Sequence, residues 1–237
     1  MLRMLLLQVG HTFEEIAADR GDYDRWFQHG LGVSEAEIEV RRVYAGAALP
    51  TSFDYAGIVV TGSWSMVTDR APWSEASADY LREATARERP ILGVCYGHQL
   101  LAHAFGGVVG YNPVGRNAGT ARVELTEAAA SDPLFQGLSG PLYYHVSHAQ
   151  SVLELPAQAR LLGACARDPH HAFRIGPSAW GVQFHPEFSA QTTRDYIRIR
   201  AETIREEGLD PAQLQAAVRE SPDGEQLLRR FRALAAG

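Results

Sequence analysis

Ile91-Leu92-Gly93-Val94-Cys95-Tyr96-Gly97-His98-Gln99-Leu100 is a short apolar run, entered from Pro90, that passes through a cysteine set between two glycines. It continues as an apolar, helix-compatible segment to Phe105. Such a pattern reads as a buried strand followed by a helix, with Cys95 on the turn between them. Gly93 and Gly97 are expected to let the backbone bend sharply and to leave room for a molecule to approach the sulfur. This is the cysteine counterpart of the G-x-S-x-G nucleophile elbow, which exposes its side chain at the end of a parallel sheet. The partial positive charge at the start of the following helix points at the sulfur.

Further along lies Gly181-Val182-Gln183-Phe184-His185-Pro186-Glu187. Trp180 to Phe184 reads as a second buried strand, and Pro186 forces an extended conformation on His185. In an extended chain residues two apart point the same way, so His185 and Glu187 are expected to share a face. The carboxylate can then take one imidazole nitrogen and leave the other for the sulfur. Either motif alone is an ordinary turn or loop. Together they supply a nucleophile, a base and an orienting acid.

The segments Gly93 to Gln99 and Gln183 to Phe188 resemble the two signatures of the class I, or triad, glutamine amidotransferases. Ile58-Val59-Val60-Thr61-Gly62-Ser63-Trp64 is similar to that family's oxyanion loop. Val146-Ser147-His148-Ala149-Gln150-Ser151-Val152 resembles the segment lining its glutamine pocket, particularly in the amidotransferase half of GMP synthetase. The resemblance implies Cys95, His185 and Glu187 as the catalytic triad and the backbones of Tyr96, Gly62 and Ser63 as the oxyanion hole. It implies Gln99, Ser147 and His148 as substrate-binding residues, with no cofactor and no metal. The departures are specific. The oxyanion loop lacks the usual second glycine and proline, Gln150 stands where an aspartate is common, and Gly115-Arg116-Asn117-Ala118-Gly119 lacks an acidic residue and is assigned only a turn.

The 237 residues carry a net charge of -6 and no basic cluster with interleaved aromatics, which excludes a nucleic-acid-binding surface. The run Met4 to Val9 is too short for a membrane span or a signal core and reads as the first strand. The two cysteines form no C-x-x-C pair and no zinc-like spacing, so a reduced, cytoplasmic setting is expected. Cys165 reads as an inert buried hydrophobe. His170 and His171 read as loop or strand-edge histidines, and Arg229, Arg230 and Arg232 as the solvated face of a helix. All 22 basic residues are arginine, which rules out Walker A and Schiff-base chemistry.

Strands are predicted near 4–9, 38–43, 57–61, 91–94, 120–125, 142–147, 160–166 and 179–184. Helices are predicted near 11–29, 75–88, 97–105 and 190–206. That order predicts an α/β fold, a doubly wound mostly parallel sheet flanked by helices with an antiparallel extension. With the resemblance it becomes flavodoxin-like, with residues 1–190 as the amidotransferase domain. Residues 191–237 are expected to form a helical extension packed on that domain, ending in two short helices broken at Ser221 to Gly224.

Three functions follow from the resemblance. The first is a glutaminase that releases ammonia from L-glutamine to a separate acceptor enzyme, since no ATP-using synthetase motif lies in these residues. The second is a stand-alone hydrolase of γ-glutamyl amides or peptides, and the third is a non-catalytic binding protein on the same fold.

Overall fold

All five residues of Met4–Gln8 (β1) are buried, as an interior strand of a parallel sheet requires. The computed structural model describes residues 2–138 and 140–237. After β1 come helices Glu14–Arg20 (α1) and Tyr23–Leu31 (α2), then strands Ile38–Arg42 (β2) and Ile58–Val60 (β3). Helix Pro72–Ala86 (α3), strand Ile91–Val94 (β4) and helix Tyr96–Ala104 (α4) follow. Seven strands come next: Val108–Tyr111 (β5), Asn117–Leu125 (β6), Leu142–His148 (β7), Gln150–Glu154 (β8), Ala159–Cys165 (β9), Asp168–Ile175 (β10) and Ala179–Val182 (β11). The chain closes with Ala190–Ile199 (α5), Ala201–Glu206 (α6), Pro211–Ala216 (α7) and Pro222–Ala235 (α8).

Nine strands form one sheet in the order β2-β1-β3-β4-β11-β10-β9-β6-β7. From β2 to β11 neighbours are parallel. From β11 to β7 they are antiparallel, and β5 and β8 form a separate antiparallel pair. The architecture is α/β, with the antiparallel extension that the order of elements predicted. Side chains alternate along β1, so Met4 and Leu6 enter one core and Leu5 and Leu7 the other. The first core holds Phe27 of α2 with Leu227, Leu228 and Phe231 of α8. The second holds Leu81 of α3 and Leu100 and Leu101 of α4.

Several boundaries differ from expectation, each for a local reason. The helix predicted over 11–29 is two helices, because Gly21 adopts a φ of 77° and Asp22 caps α2 by accepting from Tyr23 N at 2.7 Å. The helix predicted over 190–206 breaks at Arg200. Strands β5, β8 and β10 were not foreseen, and β6 starts earlier than predicted, at Asn117. Ser221 to Gly224 starts α8, with Pro222 in its first turn, rather than merely interrupting the tail. The arginines of α8 do more than face solvent. Arg230 donates to the carbonyls of Leu134 and Gln136, and Arg232 to Gly32 O and Glu37. Among the described residues no helix is long and apolar enough to cross a membrane.

Candidate active site

The carboxyl ends of β3, β4 and β11 stand in register, with Val60 beside Gly93 and Val94 beside Val182. In a parallel α/β sheet this edge is where ligands bind. Cys95 follows β4 directly and caps α4 in a conformation rare for a residue with a side chain, φ 52° and ψ −97°. Its backbone is held from both sides, Cys95 N donating to Val182 O at 2.9 Å and Gln99 N to Cys95 O at 3.1 Å. The two glycines were expected to let the backbone bend sharply and to leave room at the sulfur. They also permit close backbone contact, since a β-carbon on Gly93 would lie 2.4 Å from Gly97 O.

His185 follows β11, where its N–H donates to His145 O at 2.8 Å. His185 Nδ1 lies 2.7 Å from Glu187 Oε1. The two side chains were expected to meet by extended alternation, but Pro186 and Glu187 form a turn, with Phe188 N donating to His185 O. The ring stacks on Phe188 at 4.0 Å between centroids. Gly62 also lies against the ring, where a β-carbon would come within 3.0 Å of His185 Cε1. Burial disfavours a charged His185, but the Glu187 carboxylate and the Cys95 sulfur outweigh it and raise its pKa to about 10. His185 Nδ1 thus faces the Glu187 carboxylate, a contact that favours the charged ring.

A small cleft opens over Cys95. Ser63, Cys95, Tyr96 and Gln99 line it, with Ser147, His148 and Gln150 opposite. Sequence-predicted residues from three separate segments therefore share one cavity, and Gly62, His185 and Glu187 lie outside its lining. Gln99 is buried, and its amide nitrogen donates to Gln150 O at 2.6 Å and to Gln183 Oε1 at 3.0 Å. Gln150 donates to Thr68 Oγ1 at 2.7 Å, and its own Oε1 is buried without a partner.

Arg116 and Arg200 complete the wall, and neither was singled out from the sequence. Arg116 does more than sit in a turn. It makes a two-pronged pair with Glu207 at 2.7 and 2.8 Å. Arg200 stacks its guanidinium 4.2 Å above the Trp64 ring. Burial first, and then the charge of Arg116, lower the Arg200 pKa to about 10.

Behind His148, one ligand atom each from His148, Asp168 and His171 lies within 4.8 Å of the others. Two imidazoles and a carboxylate could hold zinc or iron, but their contacts describe an ion-pair network. Asp168 Oδ2 accepts from Ser151 Oγ at 2.9 Å and lies 3.4 Å from His148 Nε2 and 3.7 Å from His171 Nδ1. Burial opposes charge on Asp168, yet the contacts of His148 and His171, with the charge of His171, hold its carboxyl well below the usual carboxylate range. The same contacts raise His171 to about 9. His171 is thus a buried residue of an interior strand and not a loop or edge histidine, with His170 turned the other way. Cys165 is not in inert apolar surroundings either. It is half-buried, 3.7 Å from His171 Nδ1, and that contact outweighs burial to lower its pKa. His98 packs on Phe173, and burial pushes it down to about 3.

Residues 17–201 match the family described as glutamine amidotransferase class-I, more than half of the chain. The chain belongs to that family. A GMP synthase from Aeropyrum pernix is 33% identical over 142 residues, covering 60% of this chain and 25% of that protein. The chain thus spans about a quarter of the length of this curated relative. The gamma-glutamyl-L-1-hydroxyisopropylamide hydrolase of a Pseudomonas species is 31% identical over 161 residues, 65% of this chain and 54% of that protein. A solved glutamine amidotransferase from Thermotoga maritima shares the fold at a TM-score of 0.77 and 21% identity, covering 100% of each chain. Within this class I amidotransferase fold, the residues that the sequence did not expose come from distant segments. Tyr23 faces Gly62, and Gly10 packs on Ser63, where a β-carbon would lie 2.6 Å from Ser63 Cα. A glycine directly after the first strand was the one available signal for the second contact.

Proposed function

We propose that this chain hydrolyses the side-chain amide of L-glutamine through a thioester on Cys95, releasing glutamate and ammonia. The observation that carries the reading is the 2.7 Å contact between His185 and Glu187 beside a cysteine held at φ 52°. The Cys95 thiolate attacks the carboxamide carbon. The oxyanion formed is held by the N–H groups of Tyr96, at the start of α4, and of the Gly62-Ser63 turn. The carbon–nitrogen bond then breaks as the His185 imidazolium protonates the leaving nitrogen. The neutral imidazole next takes a proton from water, the hydroxide attacks the thioester, and glutamate leaves as the Cys95 thiolate returns. Glu187 keeps the imidazole oriented and stabilises its charged form. Gln99, Ser147 and His148 bind the substrate from the cleft wall. The ammonia goes to a separate acceptor enzyme, and the chemistry needs no cofactor.

A second reading, hydrolysis of another γ-glutamyl amide, is favoured by Gln150. A neutral amide there offers the substrate's amino group a weaker partner than the carboxylate common in the family. Similarity to the Pseudomonas hydrolase points the same way. The deciding experiment measures ammonia release from L-glutamine, and amine release from a panel of γ-glutamyl amides, with Cys95→Ala as control. Cysteine-dependent ammonia release supports the glutaminase, preference for a γ-glutamyl amide supports the second reading, and turnover retained in Cys95→Ala sinks both.

A further inference from the structure

The cleft over Cys95 has an unbalanced charge. Its lining contains two arginines and no carboxylate. Arg116 is neutralised by both oxygens of Glu207. Arg200 has no carboxylate within ion-pair distance among the described residues, and its Nε is buried without a hydrogen-bond partner. A half-buried guanidinium left without a carboxylate is costly. Arg198, two residues earlier, reaches Glu15 and Asp195, and Arg20 reaches Asp195.

The chain also positions this side chain. The break between α5 and α6 falls at Arg200, whose φ and ψ of −92° and 12° end one helix and begin the next. The guanidinium carbon then lies 4.2 Å from the centroid of the Trp64 ring, itself stacked on Tyr196 at 5.5 Å. Trp64 directly follows Ser63, so the cation is clamped to the loop flanking the nucleophile. A guanidinium held over an aromatic ring still has N–H donors to offer a planar acceptor such as a carboxylate.

We infer that Arg200 is the anion anchor of this pocket, receiving a carboxylate carried by the substrate at the end opposite the scissile amide. This deepens the function proposed above and rests on it for the identity of the reacting amide. The substrate class is then ω-amides with a free carboxylate, including glutamine and its γ-glutamyl relatives. The rest of the lining offers the substrate only neutral partners, Gln150 Oε1 and the His148 ring, whose Nδ1 is also buried without a partner. Arg200 acts in binding and not in bond-making.

The test uses two alkylating probes of one size and opposite character at Cys95, iodoacetate and iodoacetamide. The ratio of their rate constants is measured in the wild type, Arg200→Gln, Arg200→Lys and the control Arg198→Gln. The iodoacetate-to-iodoacetamide ratio should fall about tenfold or more in Arg200→Gln, the size of one hydrogen bond to a charged group. It should stay close to wild type in Arg198→Gln and be partly kept in Arg200→Lys. An unchanged iodoacetamide rate shows that the Trp64 loop has not moved. Should Arg200→Gln fail to fold, protection of wild-type Cys95 decides. Glutarate should shield it at about tenfold lower concentration than 1,5-pentanediol. A ratio unchanged in Arg200→Gln, or equal protection by the two compounds, overturns the anchor. If the chain hydrolyses no ω-amide while the ratio still falls, the proposed reaction fails and the anion site stands.

Discussion

The carbonyl oxygen of Val60 lies 2.5 Å from where a β-carbon on Gly97 would stand. Gly97 N also donates to Thr61 O at 3.2 Å, so β3 and the first turn of α4 touch backbone to backbone. Neither Gly93 nor Gly97 has a positive φ; the residue between them that does is Cys95. Gly97→Ala should therefore force α4 away from β3 and cost about 1–3 kcal/mol, as overpacking does. The midpoint of urea unfolding measures it, and the iodoacetamide rate at Cys95 should fall as the elbow shifts. A wild-type midpoint would show that the contact yields without cost.

Glu187→Gln keeps the size of the side chain and removes the charge that supports the His185 imidazolium. With that support gone, burial should pull the His185 pKa down from about 10. The turnover number for the proposed amide hydrolysis should fall about a hundredfold or more, the usual weight of positioned acid–base catalysis. KM should move little, because Glu187 stands outside the cleft lining. A rise in KM with unchanged turnover would assign Glu187 to binding instead.

The sequence exposed what is local and hid what is distant. Cys95 with its glycines, and His185 with Glu187, each lie within one short segment, so residue types and spacing were enough to find them. The parallel half of the sheet was legible because β4 and β11 are uniformly apolar and β1 is apolar up to Gln8. Strand β10 was not, since Asp168-Pro169-His170-His171 looks like a loop until Asp168 and His171 are seen buried against each other. Arg116 and Arg200 were hidden for a further reason. Each reaches the cleft only because a strand start or a helix break turns it there, and no spacing connects either to Cys95. The split between α1 and α2 was readable in principle from Gly21-Asp22, a helix stop followed by an N-cap.

Gln99, proposed above to meet substrate, also ties α4 to Gln150 O and Gln183 Oε1 through its amide nitrogen. Gln99→Leu leaves both acceptors buried and unpaired, so the fold should lose about 1–3 kcal/mol. Urea unfolding measures this loss independently of any activity. Unchanged stability together with a raised KM would make Gln99 a binding residue alone.

The buried histidines titrate in two directions, which sets a stability optimum near neutral pH. Burial pushes His98, His145 and His148 down to about 3, 4 and 4 from an ordinary value of 6.5. As pH falls from about 6.5 toward 4, the unfolded chain takes up protons at these positions that the folded chain refuses, so stability drops. Asp168, held well below the usual carboxylate range, steepens that acid side. His171 and His185 behave oppositely, raised to about 9 and 10 because carboxylate and sulfur contacts outweigh burial. Their contribution is fully present below about 6.5 and is lost as pH rises through 9 and 10, because the unfolded chain releases those protons first. Melting temperature scanned from acid to alkaline pH should therefore peak near pH 6.5 and fall on both sides. His148→Gln should make the acid limb shallower and leave the alkaline limb unchanged. A melting temperature that climbs steadily between pH 6.5 and 9 would contradict charged imidazoles at His171 and His185, and with them the ion pair that orients the base.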